Sequence, residues 1–296
     1  MSAPDGLLLI DKPPALTSHE VVQRVRRALK TRQAGHTGTL DPLATGLLVV
    51  CLGQATRLSE YLLGHDKRYR AAIRLGVETD TYDADGQVTA TRPVTVKRDE
   101  VEAALARFVG EIDQVPSMYS AIKIDGKKLY DLARAGQAVD RPARSITIYA
   151  IEVIDFTAPD LIIDLHCSAG TYIRSLAHDV GAALGTGAHV TALRRTAAGP
   201  FGLDQAIGLA EFEAAVVDGN WPAYLKPADT ALADWPSITL DAAQRQRAVT
   251  GGRIEGLNVI GARARAYDEQ GRLVALLVFD QKKRWWRADK VLINVQ

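Results

Sequence analysis

Residues 35–46 read GHTGTLDPLATG. Glycines and Pro42 punctuate the stretch, so the segment from Gln33 to Gly46 is expected as a loop ahead of the apolar run Leu47 to Leu52. Taken alone, Asp41-Pro42 is a turn, because Asp and Pro suit turns for backbone reasons. The glycines also suggest a phosphate cradle. That pattern needs Lys followed by Ser or Thr after its second glycine, and here Leu47-Leu48 follow Gly46. Further on, Asp83, Asp85 and Gly86 hint at a calcium loop, yet its first ligand would be Thr81 and its twelfth Arg92, where a bidentate Glu is required. The 6 histidines show no pairing at metal spacing, and no GxSxG elbow is present.

Working outward, Gly6 to Ile10 reads as a short apolar strand leading into DKPP and a helix from Ser18 to about Leu29. Thr17 and Glu20 form a capping box at its start, and Val21, Val22, Val25 and Leu29 trace one apolar face. Residues Tyr69 to Leu75 alternate as a half-buried strand. A capped helix is expected over Asp99 to Phe108, paired strands over Ile146 to Ile154 and Leu161 to Cys167, and then a turn opened by Gly170 into a helix through Leu184 that Gly185 stops. Weak patterning and Gly219, Pro222, Pro227 and Pro236 make Glu211 to Pro236 a hinge. Beyond it, Ala262 to Tyr267, Leu273 to Phe279 and Arg284 to Val291 read as strands of a small all-β unit.

With 296 residues, 47% of them hydrophobic, the chain can bury one large core and a small second one. No long uninterrupted apolar run suits a membrane span, and MSAPDGLLLIDKPP lacks the basic flank and apolar region of a secretory signal, so a cytoplasmic location is expected. Cys51 and Cys167 fit no disulfide framework or metal motif and are expected as buried thiols. A net charge of +1 does not announce a nucleic-acid partner. Local clusters say more: Arg24, Arg26, Arg27, Lys30 and Arg32; Arg194 with Arg195; and Lys282, Lys283, Arg284 and Arg287 interleaved with Trp285 and Trp286. Together they favour a phosphate-binding surface.

Five blocks then decide among these readings. In order they are GLLLIDKPPALTSH (6–19), GHTGTLDPLATGLLVVCLGQATRL (35–58), DKRYRAAIRLGVETDTYDADG (66–86), VPSMYSAIKIDGKKLYDLARAG (115–136), and CSAGTYIRSLAHDVG (167–181) with GAHVTALRRTAAGPF (187–201). They resemble the TruB family of tRNA pseudouridine synthases. The resemblance implies an α+β pseudouridine synthase fold, a central mixed β-sheet flanked by helices, over 1–235. An RNA-gripping insertion is implied at about 117–144, and a small C-terminal all-β PUA-like barrel that binds RNA over 236–296.

The implied reaction turns uridine into pseudouridine in the T-loop of tRNA, at the position conventionally numbered 55. The N1–C1′ bond breaks, the base turns over, and C5 bonds to C1′; nothing is oxidised, so neither metal nor cofactor is expected. The resemblance places the reactive carboxylate at Asp41, with Arg174 keeping it ionised as an opposite charge does. Tyr69 would stack on the extruded base. Substrate-binding roles are implied for His36, Tyr172 and Leu193, for Asp83 as a partner of Arg174, and for Lys12 in a motif whose usual glycine is here Ala15. The implied partner is the T-arm of tRNA, met by a stand-alone monomer that needs no protein partner and no membrane. The competing reading is an RNA-binding or tRNA-folding module without chemistry, which would have no use for Asp41, Tyr69 and Arg174 together.

Overall fold

A computed structural model describes residues 4–119 and 139–293, together with the backbone of short strands at 123–124 and 127–128. The chain begins with β1 (Gly6–Lys12), α1 (Ser18–Ala28), β2 (Ala34–His36), β3 (Thr45–Leu52), a 3-10 turn over Gly53–Leu58 and α2 (Ser59–Leu63). Next come β4 (Lys67–Leu75), the hairpin β5 (Val77–Thr79) and β6 (Val88–Thr91), α3 (Arg98–Ala106) and β7 (Gly110–Gln114). Strands β8 (Lys123–Ile124) and β9 (Lys127–Lys128) pair with each other, and β10 (Arg144–Thr157), β11 (Asp160–Cys167), α4 (Ile173–Ala183) and β12 (Ala188–Ala198) follow. Then β13 (Phe201–Gly202), β14 (Ile207–Gly208), α5 (Leu209–Val217) and β15 (Leu225–Lys226) lead to β16 (Ser237–Thr239), α6 (Ala242–Thr250), β17 (Arg263–Tyr267), β18 (Leu273–Asp280) and β19 (Trp285–Val291). Most of the insertion expected at 117–144 lies outside the described residues.

The central sheet runs β14-β1-β3-β12-β4-β11-β10-β7 and is mixed: β12 meets β3 in parallel and β4 antiparallel. Continuous apolar runs in β1 and β3 are explained by burial on both faces. Leu7, Leu9, Leu47, Val49 and Cys51 enter one core, while Leu8, Ile10, Leu48, Val50 and Leu52 enter another, where Val21, Val22 and Val25 of α1 and Phe212 of α5 pack. The alternating β4 instead turns one face inward: Tyr69, Ala71, Ile73 and Leu75 meet Ile173, Leu176 and Val180 of α4 in a third core. The capping box of α1 is present, with Glu20 N donating to Thr17 Oγ1 at 3.1 Å and Thr17 N donating to Glu20 Oε2 at 2.7 Å. Both cysteines are buried thiols.

Three expectations are corrected. The stretch 211–236 is regular rather than loosely patterned: α5 and the 3-10 turns after it bury Phe212, Ala231 and Leu232, with Pro222 and Pro227 at the starts of those turns. The segment from Gln33 to Gly46 is not wholly loop, since β2 pairs with β3. The C-terminal strands form an open four-stranded sheet, β16-β17-β18-β19, not a closed barrel. Its first strand spans only Ser237–Thr239, and α6 packs on β18 and β19, so a helix covers the sheet where a barrel would cover itself.

Candidate active site

The loop after β2 is held from several sides. Ser18 Oγ accepts from Leu40 N at 2.8 Å and donates back to Leu40 O at 3.2 Å. Pro42 O accepts from Ala15 N at 2.9 Å and from Lys12 Nζ at 3.3 Å. Arg195 donates from Nη2 to Gly38 O at 3.1 Å and from Nε to Leu47 O at 2.7 Å. Where the loop rejoins the sheet, a Cβ on Gly46 would lie 2.3 Å from Arg195 O, so β3 and β12 can meet there only at glycine. Asp41 therefore projects from a fixed platform.

Opposite it stands Arg174, in the first turn of α4 and 5% exposed. Its Nη2 donates to Asp41 Oδ1 at 3.0 Å, and Nε lies 2.9 Å from Oδ2, although that N–H is not aligned for a hydrogen bond. Nη1 lies 3.2 Å from Asp83 Oδ2, and the guanidinium also donates to Thr81 O at 3.2 Å and Tyr119 O at 3.0 Å. One buried arginine thus gathers the Asp41 loop, the 79–86 segment and the start of the 117–144 insertion. Asp41 keeps 35% of its side-chain surface, and this surface faces two clefts that are partly open to solvent. Desolvation is the largest influence on its carboxyl and raises it above the ordinary range; Arg174 opposes this and Asp83 adds to it. Arg174 was expected to hold Asp41 ionised, but its pull only partly offsets the burial.

Asp41 and Arg174 separate two cavities, one of about 300 Å³ and one of about 680 Å³. Tyr69, Tyr172 and Leu193 line the smaller. Tyr69 is 9% exposed and its phenol is pushed up by burial, against the pull of the neighbouring Arg195. Tyr172 is fixed by its backbone: its N donates to Gln114 Oε1 at 2.8 Å and its O accepts from Gln114 Nε2 at 3.0 Å. His36 and Asp83 line the larger cavity instead. Burial, with Arg195 and His19 nearby, holds the His36 imidazole below its ordinary value, and its buried Nδ1 has no hydrogen-bond partner among the described residues.

Lys12 is placed apart. Expected at the substrate, it is fully buried, and its ammonium donates to Pro13 O at 2.9 Å, Leu16 O at 2.6 Å and Pro42 O, so it lies beneath the loop and props it. Ala15 adopts the left-handed backbone (φ 64°) of the glycine it replaces. Arg195, grouped with Arg194 as a surface pair, is 2% exposed, because neighbours along β12 face opposite sides; Arg194 pairs with Asp11 at 2.7 Å. Gln114 and Lys67 were missed as well. Lys67 lines the smaller cavity, and the inward-facing KRYRAAIRL alternation could have flagged it. Among the described residues, no group of three or more His, Cys, Asp or Glu could hold a metal ion, and no helix is long and apolar enough to cross a membrane.

Comparison with known proteins gives this arrangement its context. Residues 26–173 match the TruB family pseudouridylate synthase N-terminal domain, and residues 174–233 match the tRNA pseudouridylate synthase B C-terminal domain. The chain is 48% identical over 279 residues to tRNA pseudouridine synthase B of Burkholderia mallei, covering 92% of each. It is 51% identical over 252 residues to the enzyme of that name from Cupriavidus pinatubonensis, covering 84% of this chain and 80% of the relative. Among solved structures it resembles a Cbf5-Nop10-Gar1 complex, with a TM-score of 0.76 and 29% identity over 97% of this chain and 85% of that one. It also resembles an H/ACA RNP bound to a substrate RNA containing 2′-deoxyuridine, with a TM-score of 0.73 and 27% identity over 98% and 85%.

Proposed function

Because the chain belongs to the TruB family of tRNA pseudouridine synthases and isomerises uridine to pseudouridine in tRNA, we propose that Asp41 is the carboxylate on which that isomerisation turns. The observation that carries this is the Asp41–Arg174 contact at the junction of the two cavities. The substrate is the T-loop uridine, extruded from its stack into the smaller cavity and held against Tyr69. Arg174 aims the carboxylate and favours its charge. Asp41 then either attacks the nucleotide at C1′ or removes the neighbouring sugar proton, and the freed base turns over before C5 bonds to C1′. Tyr172 and Leu193 line the base's space, while His36, a neutral imidazole in the larger cavity, meets RNA that the extrusion displaces. Asp83 couples the 79–86 segment to Arg174, and Lys12 acts through the loop it supports. Residues 236–296 form an RNA-binding appendage of PUA-like character, and the enzyme works in the cytoplasm as a monomer.

The decisive experiment incubates the protein with unmodified tRNA transcript and maps pseudouridine for wild type and Asp41→Asn. We expect conversion at the T-loop by wild type and none by the variant, with RNA affinity retained because phosphate contacts supply most of it. A fully active Asp41→Asn would remove the carboxylate mechanism. A protein that binds the transcript without converting it would favour an RNA-folding role instead. The rate should also fall on acidification from a higher pH than an ordinary aspartate implies, since the ionised form is needed and burial raises the carboxyl.

A further inference from the structure

Two cations on the wall that carries Tyr69 have no part in the steps above. Alternate residues of β4 face inward, so Lys67, 7% exposed, lies two positions from Tyr69 on the same face. Arg195 stands opposite Tyr69 in the β4–β12 register. Such neighbours are about 7 Å apart along a strand and about 5 Å across a ladder, so the pair flanks Tyr69 within reach of the edges of anything stacked on it. Both line the smaller cavity with Asp41.

Among the described residues neither cation has a carboxylate partner. Lys67 Nζ donates to Leu63 O at 2.7 Å and to His65 O, and Arg195 donates to the carbonyls of Gly38 and Leu47. Arg174, by contrast, has Asp41 and Asp83. A buried cation is costly unless something negative meets it, and carbonyl oxygens carry only partial charge, so both cations remain available to a full negative charge that develops beside Tyr69.

We propose that Lys67, with Arg195 beside it, stabilises the negative charge that collects on uracil as its glycosidic bond breaks. The proposal rests on the reading that the base stacks on Tyr69. The N1–C1′ bond breaks and its electron pair leaves with the base, as an anion whose charge spreads over N1, O2 and O4. C1′ meanwhile bonds to the Asp41 carboxylate, or the sugar gives Asp41 the adjacent C2′ proton, which is later returned. The base then gives an electron pair from C5 to form the C5–C1′ bond; on the adduct route the C1′–Asp41 bond breaks as it forms and frees the carboxylate, on the other the C2′ proton comes back from Asp41. The proton on C5 then passes to water while N1 takes one from water. Donors fixed where charge develops count for more among buried groups of low polarity than in water.

The test is single-turnover conversion of tRNA transcript at saturating enzyme, from neutral to alkaline pH, with RNA affinity measured separately, for wild type, Lys67→Met and Lys67→Arg. Loss of one such donor typically slows a reaction by about 100-fold, and we expect that loss in Lys67→Met with affinity unchanged. The groups facing Lys67 are Arg195 of β12, Cys167 of β11, Tyr69, and the preceding His65 and Asp66. Burial, aided by Arg195, pushes its ammonium down to about 8. The wild-type rate should therefore decline on the alkaline side, and Lys67→Arg, which stays charged, should keep the rate and lose that decline. The proposal is overturned if Lys67→Met reacts as fast as wild type, if it loses affinity but not rate (as a phosphate contact would), or if Lys67→Arg shows the same alkaline decline. Should Lys67→Met fail to fold, the pH profile of Lys67→Arg decides. Tyr69→Ala, run alongside, separates the readings: unchanged conversion there would sink the stacking assignment itself, whatever Lys67 does.

Discussion

Asp41 holds its charge against its surroundings. Its folded carboxyl is raised, so the fold favours the protonated form; that contribution to stability is complete below the unfolded pKa and disappears as pH rises through the folded one. At neutral pH the ionised side chain is therefore a cost, and Asp41→Asn should unfold at the same or a higher temperature than wild type, while Arg174 keeps Asp83 and two carbonyls. A clear drop in melting temperature would mean that the Asp41–Arg174 pair stabilises the protein on balance. Ala15 is a smaller case of the same kind. A non-glycine residue in the left-handed region costs roughly 1–2 kcal/mol, partly offset because glycine gains more entropy on unfolding, so Ala15→Gly should stabilise by about 0.5–1 kcal/mol in urea titration.

Among the elements, the junction of β3 and β12 matters most to the site. β12 carries Leu193 and Arg195 at the cavity, and β3 begins where the Asp41 loop ends. The two strands meet in parallel at Arg194↔Thr45 and Arg195↔Gly46, with Gly46 at φ 97°. Gly46→Ala would set a methyl against backbone that cannot yield and impose a rare φ, so we expect a loss of about 2–3 kcal/mol in urea, and a fall in activity beyond it as the loop shifts. Part of the order of elements was readable from apolar period and caps, because α1, β4, α3 and α4 each bury one face and the sequence records that face; β12, α5 and α6 were not read. The pairing of Arg195 with Gly46 was not, since nothing local links positions so far apart.

For the molecule as a whole, the C-terminal sheet is built into the rest. β18 turns Val274, Ala275 and Leu277 into its own core, while Leu276, with Leu292 beyond β19, enters the core of β1 and β3. Around that seam Lys290 pairs with Glu60, Tyr61 hydrogen-bonds Asp289, and Arg263 lies 5.5 Å from the Tyr61 ring and 5.1 Å from that of Trp235. Leu276→Ala should cost about 2–5 kcal/mol, as a fully buried leucine does, and wild type and variant should both unfold in one calorimetric transition. Two separate transitions would mean that the C-terminal unit folds on its own.

Strands buried on both faces, capped helices and the GHTGTLDPLATG loop were determined by the sequence alone, because period, caps and turn chemistry act over a few neighbouring residues. With the order of the five blocks they sufficed for the family and the reaction. Tertiary structure decided what depends on burial and distance. It showed that desolvation outweighs Arg174 at Asp41, that Lys12 and Arg195 lie under and behind the loop, and that the C-terminal strands stay open beneath a helix. It also brought Lys67 into the cavity beside Tyr69. A residue's charge state and reach are set by the atoms packed around it, and those atoms come from strands that are far apart in the chain.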